Sequence, residues 1–109
     1  SPAFAIFPDA MRLIDERMPD GSRRFVTLAA QQVDWGVVYE NVASLAGSRI
    51  INFVANGGAL KRLDFHYLGN RFLISGQNGH VNLSVDDPQC SDLILYHVSS
   101  VICAATNDS

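Results

Sequence analysis

The sequence predicts a single all-β domain over residues 1–109, a small antiparallel β-barrel or β-sandwich of about seven or eight short strands with room for one short helix. Three observations carry that expectation. Turn signals recur at Pro19-Asp20-Gly21, Ala46-Gly47-Ser48, Asn56-Gly57-Gly58, Gly69-Asn70, Asn78-Gly79 and Asp86-Asp87-Pro88, which is the punctuation of consecutive short strands. Apolar runs of strand length fill the gaps between them. Finally, 48% of the 109 residues are hydrophobic and 17% charged, enough apolar surface for one packed core and far from a disordered composition. No repeat, low-complexity tract or linker divides the chain.

The elements follow in order. "AMRLIDERM", the turn "PDG" and "SRRFVTLAA" read as a first hairpin, with an opening helix as the alternative because Met11, Ile14 and Met18 sit near helical spacing. In "VDWGVVYENVASLAG", Trp35, Val37 and Tyr39 alternate as a strand that leads into one helical turn before Gly47. "GSRIINFVANGG" is rich in β-branched and aromatic residues and reads as a further strand. "ALKRLDFHYLGNRFLISG" alternates cleanly, with Leu63, Phe65 and Tyr67 on one face and Asp64 and His66 on the other. Gly69-Asn70 then makes a tight connection into "RFLIS". "GHVNLSVDD" sends Val81, Leu83 and Val85 inward and Asn82 and Ser84 outward. "SDLILYHVSSVIC" is a denser run and reads as a central strand apolar on both faces.

Two cysteines, Cys90 and Cys103, bracket that last run. They are too few for a closed zinc site and too far apart for a C-x-x-C redox pair, which leaves one disulfide or two buried thiols, and the even count favours the disulfide. Such a bridge would contribute roughly 3 kcal/mol through loop entropy. A hairpin turn at Ser99-Ser100 would set Cys103 opposite Tyr96, so the bridge is expected to tie the loop "DDPQC" to a strand bending back across it. The disulfide, the sequons at Asn82 and Asn107, and a chain that starts at Ser1 as though processed all predict a secreted or periplasmic protein.

The charge balance argues against several partners. A formal charge of −3, with basic pairs only at Arg23-Arg24 and Lys61-Arg62, predicts no nucleic-acid partner; both pairs read as solvated edges. No apolar run has the length of a membrane span. There is no nucleophile elbow, phosphate-binding loop, dinucleotide fingerprint or calcium loop, and no cofactor is expected. Asp15 and Glu16 would point to opposite faces of a strand. Asp64 and His66 share a face, so with His80 or His97 they offer a metal or acid–base centre, although a solvated face is the simpler reading.

The aromatics are expected mostly in the core. If Trp35, Tyr67 and Tyr96 instead line an open end, they belong with Asp64 and His66 to a recognition surface. The expected function is a secreted, non-enzymatic interaction protein that binds a protein partner in the manner of an effector, elicitor, inhibitor or immunity protein. A β-barrel carrier of a small ligand is the second expectation. The third is a small metal-dependent or hydrolytic enzyme built on Asp64 and His66.

Overall fold

Leu63, Phe65 and Tyr67 alternate with Arg62, Asp64 and His66, and this period-two pattern separates the two sides of the molecule. A computed structural model of the protein describes residues 15–29, 33–55, 61–77 and 80–105. Its strands are β1 (Asp15–Arg17), β2 (Arg23–Ala29), β3 (Arg49–Val54), β4 (Lys61–Tyr67), β5 (Asn70–Gln77) and β6 (His80–Val85). Its helices are α1 (Trp35–Ala43) and α2 (Asp92–Ala104). Met11, Ile14, the turn signals at Asn56-Gly57-Gly58 and Asn78-Gly79, and the Asn107 sequon lie outside the described residues.

The strands form one antiparallel sheet in the order β1-β2-β6-β5-β4-β3. β3 to β6 make a meander, and the β1–β2 hairpin joins it by pairing β2 with β6. The fold is mainly β, as the sequence predicts, but the sheet is open, neither a barrel nor a sandwich. Five strands have six residues or more, and β1 is a three-residue edge strand. Two helices take the place of a second sheet. Val38 and Val42 of α1 and Leu95, Val98 and Ile102 of α2 share one buried cluster with Leu63, Phe65, Phe72, Ile74, Val81, Leu83 and Val85 of the sheet. That helix-covered side is the inner face.

Both helices correct the strand readings. In α1 the buried residues are Trp35, Val38 and Val42, at helical spacing. Asp34 caps the helix by accepting from the Val37 N–H at 3.3 Å. The run read as a central strand is α2. Its buried residues Leu95, Val98, Ser99 and Ile102 recur at intervals of three and four, while Leu93, His97 and Ser100 are exposed. Ser91 caps it, its Oγ accepting from the Leu93 N–H at 3.2 Å. The helices meet where the Asp34 N–H donates to the Ala105 carbonyl at 2.7 Å.

The helix removes the expected disulfide. Cys90 precedes α2 and Cys103 lies in its last turn, so the helical rise alone separates them by roughly 16 Å. A disulfide holds its Cα atoms within about 7 Å. Cys90 is accordingly a free, buried thiol. Arginines hold its loop instead. Arg17 Nη1 donates to the Pro88 carbonyl at 2.6 Å, and Arg23 Nη1 donates to the Cys90 carbonyl at 2.8 Å.

The hairpins follow their turn chemistry. In the β1–β2 turn, Gly21 has φ +90°, and Asp20 Oδ1 accepts from the Ser22 N–H and hydroxyl at 3.0 and 2.6 Å. The β4–β5 turn falls one residue earlier than its Gly69-Asn70 signal, because Tyr67 pairs with Asn70 and leaves Leu68-Gly69 as the two-residue loop. Both loop residues have positive φ, 51° and 79°, the conformation that glycine and asparagine adopt most readily. Leu68 is also exposed, so its apolar side chain gains little in return for that backbone.

Leu68→Asn is therefore expected to stabilise the fold by about 0.5–1 kcal/mol in denaturant titration. Alkylation of the unfolded chain without reductant is expected to modify both cysteines, and mass spectrometry will count the added groups. Native Cys90 is expected to react far more slowly, since burial pushes its thiol above the ordinary range despite the opposing charge of Arg23.

Candidate functional site

The face of the sheet away from the helices carries the alternate residues of each strand. Strand register, not sequence adjacency, decides which of them meet. Arg49 pairs with His66 and His66 with Arg71. One rung along, Asn52 pairs with Asp64, Asp64 with Leu73, Leu73 with Ser84 and Ser84 with Arg24. With Arg62, two residues before Asp64 on β4, four of the seven arginines of an acidic chain stand on one surface.

Asp64 is the centre of that surface. It lies on the outer face as the alternation predicts, yet it is only 3% exposed, because arginines cover it in place of solvent. Arg71 donates Nε–H to Oδ1 at 3.1 Å and Nη2–H to Oδ2 at 2.8 Å, a two-pronged pairing that matches guanidinium to carboxylate. Arg62 Nη2 stands 3.8 Å from Oδ2. The Arg71 hydrogen bonds, aided by the charges of Arg71 and Arg62 and opposed by burial, hold the Asp64 carboxyl below its ordinary 3.8. Beside it opens a concavity of about 180 Å³, with Asp20, Ser22, Arg62, Arg71 and Asp86 around its mouth. Asp86 is tied to the site through its Oδ1, which accepts from the Arg71 N–H at 3.0 Å.

His66 shares the face but has a different partner. Arg49 Nη2 lies 3.2 Å from its Nδ1. The contact places a guanidinium, which can only donate, against one ring nitrogen of His66. Asp64 and His66 are therefore both engaged by arginines, and among the described residues no group of three His, Cys, Asp or Glu side chains converges on one point.

The aromatic members of the sequence-predicted surface lie elsewhere. Trp35 and Tyr67 are in the core, at 7% and 8% exposure. Tyr67 is on the inner face, where its ring stacks on that of His97 in α2 at 6.1 Å between centroids. Tyr96 is half-buried in the helical layer. The structure thus brings Asp64 and His66 together and sets Trp35, Tyr67 and Tyr96 on the other side of the sheet. The open sheet also encloses no barrel interior for a ligand. Sequence reasoning missed Arg49, Arg62 and Arg71. Arg62 was legible as the same-face neighbour two before Asp64, and Arg71 as its diagonal neighbour across the β4–β5 hairpin.

No protein-family model, no curated protein and no solved structure matches the chain. The site is accordingly defined by its own chemistry: a buried carboxylate gripped by Arg71 and flanked by Arg62, on the sheet face opposite the two described helices.

Asp64→Asn is expected to destabilise the protein by about 1–3 kcal/mol in denaturant melts, since the guanidinium loses a charged acceptor in a largely desolvated position. The pH dependence has a definite sign. The folded value of Asp64 lies below the unfolded one, so its stabilisation is complete above the ordinary aspartate range. It is lost as pH falls through the lowered folded value. Acid melts of Asp64→Asn are expected to lack that component.

Proposed function

We propose that the protein is a non-enzymatic interaction domain that recognises a protein partner through the outer face of its sheet. One observation carries this reading: both helices pack on the inner face, and the opposite face presents fixed charges. Arg71 and Asp64 are held in a bidentate pair, so the guanidinium that emerges beside the concavity has a fixed orientation. Pre-positioned arginines are favoured anchors in protein interfaces, because little rotamer freedom remains to be lost on binding. Asp64 and His66, on which the metal-dependent or hydrolytic alternative is built, are each engaged by an arginine, and the sheet is not closed into the barrel that the carrier alternative calls for. A secreted setting no longer has a disulfide behind it. The Asn82 sequon gives it little support either, because Asn82 is half-buried on β6 between Val26 of β2 and Ser75 of β5, where a bulky glycan has little room.

The test compares two surfaces of the folded protein. Arg62→Glu reverses a charge on the outer face, and Leu93→Glu changes the most exposed large apolar side chain, at 76%, on α2. In affinity capture from extracellular and cellular fractions, a partner held by the wild type is expected to be lost by Arg62→Glu and kept by Leu93→Glu. Loss with Leu93→Glu and retention with Arg62→Glu would place recognition on the helices and refute the proposal.

A further inference from the structure

Resting on that recognition reading, we propose that the free edge of β3 takes an extended segment of the partner as an added strand, one that carries carboxylates at alternate positions. β3 closes one end of the sheet and pairs only with β4 among the described residues. Its outer backbone groups are therefore the template that strand addition uses. Sheet edges are ordinarily blunted by a lysine, a proline or a charge in mid-strand. Ile50 to Val54 has none of these, its one departure from a regular edge being the register irregularity between Ile50 and Asn52, and Ile51 stands 45% exposed there.

The chemistry around the edge selects the occupant. On the outer face, Arg49 belongs to β3 itself and Arg62 is the register partner of Val54. β3 carries no Asp or Glu, and Asp64, the register partner of Asn52, is already gripped by Arg71 at 2.8 Å. Lys61 adds a cation at the end of the strand, its Nζ donating to the Ala55 carbonyl at 3.0 Å. On the inner face, Tyr39 of α1 lies against Phe53 with ring centroids 4.8 Å apart, and Tyr39 is partly exposed. A strand alternating carboxylate and apolar side chains would set its acids toward the arginines and its apolar groups toward this ring pair.

A second copy of the chain does not fit. Antiparallel pairing of two β3 edges would bring Arg49 of one toward Val54 of the other, and so toward its Arg62, placing like charges together.

The experiment is an amide chemical-shift titration of the whole protein with a short capped peptide of alternating glutamate and valine. The expected result is shifts centred on residues 49–54, with at least tenfold weaker binding of the peptide in which lysine replaces glutamate. Arg49→Glu and Ile51→Asp, both at exposed positions, are each expected to weaken the glutamate peptide about fivefold or more. The proposal is overturned if the lysine peptide or a single-stranded oligonucleotide binds β3 more tightly. It is equally overturned if the shifts fall elsewhere, if none is seen, or if both variants bind as the wild type does. Failure here, with partner capture still sensitive to Arg62→Glu, would leave the recognition face standing and remove only the added strand. Shifts at β3 with a partner sensitive to Leu93→Glu would do the reverse.

Discussion

The Arg23 guanidinium is the interaction on which the arrangement of sheet and helices depends. It projects from β2 and is almost wholly buried, donating to the Cys90 carbonyl at 2.8 Å and to Asp92 Oδ1 at 3.2 Å. Burying a charge is costly unless it is paired and hydrogen-bonded. Here a backbone carbonyl just before α2 and a carboxylate in the helix's first turn meet that requirement together. The pairing fixes where the chain leaves β6 and where α2 begins. Asp92 serves a second purpose, as a negative charge at the positive end of the helix dipole. With the start of α2 set in this way, its apolar stripe joins the buried cluster that holds Phe65, Phe72 and Leu83, and neither of the two described helices lies on the outer face.

Much of the sheet was legible in the sequence because half-buried strands write their orientation in alternation. Leu63-Phe65-Tyr67 and Val81-Leu83-Val85 were assigned to the core on that ground, and they are there. The first hairpin was legible from "PDG" in the same way. α2 was not, because a run apolar on most positions loses its period: "DLILYHVSSVIC" satisfies a buried strand and a buried helix alike. Its length and the preceding serine were the signals that favoured a helix. One misassigned element had two consequences. It made a disulfide look feasible, and it turned one helix-backed sheet into an expected barrel.

The candidate site was legible by half. Asp64 and His66 could be placed on one face, but their arginine partners depend on where the β4–β5 turn falls. A turn at Gly69-Asn70 would set Asp64 opposite Ser75, beyond the reach of Arg71. The observed turn at Leu68-Gly69 shifts the partner strand by two and brings Arg71 onto the diagonal. A shift of two preserves every inside–outside assignment, so hydrophobic patterning is blind to it. Net charge misled for a related reason. A value of −3 describes the chain, whereas recognition depends on faces, and pairing has collected arginines scattered through the sequence onto one of them.

The order of the strands also bears on how the molecule comes together. The β3–β6 meander closes through neighbours in the chain, so its pairings need only short loops to form. The β1–β2 hairpin must wait for β6, and the Arg23–Cys90 contact joins positions 67 apart. Closing so long a loop carries a large entropic cost and is met late in folding. The meander is thus the natural nucleus, and docking of the N-terminal hairpin completes the native state. Until that docking occurs, β6 is itself an unpaired edge.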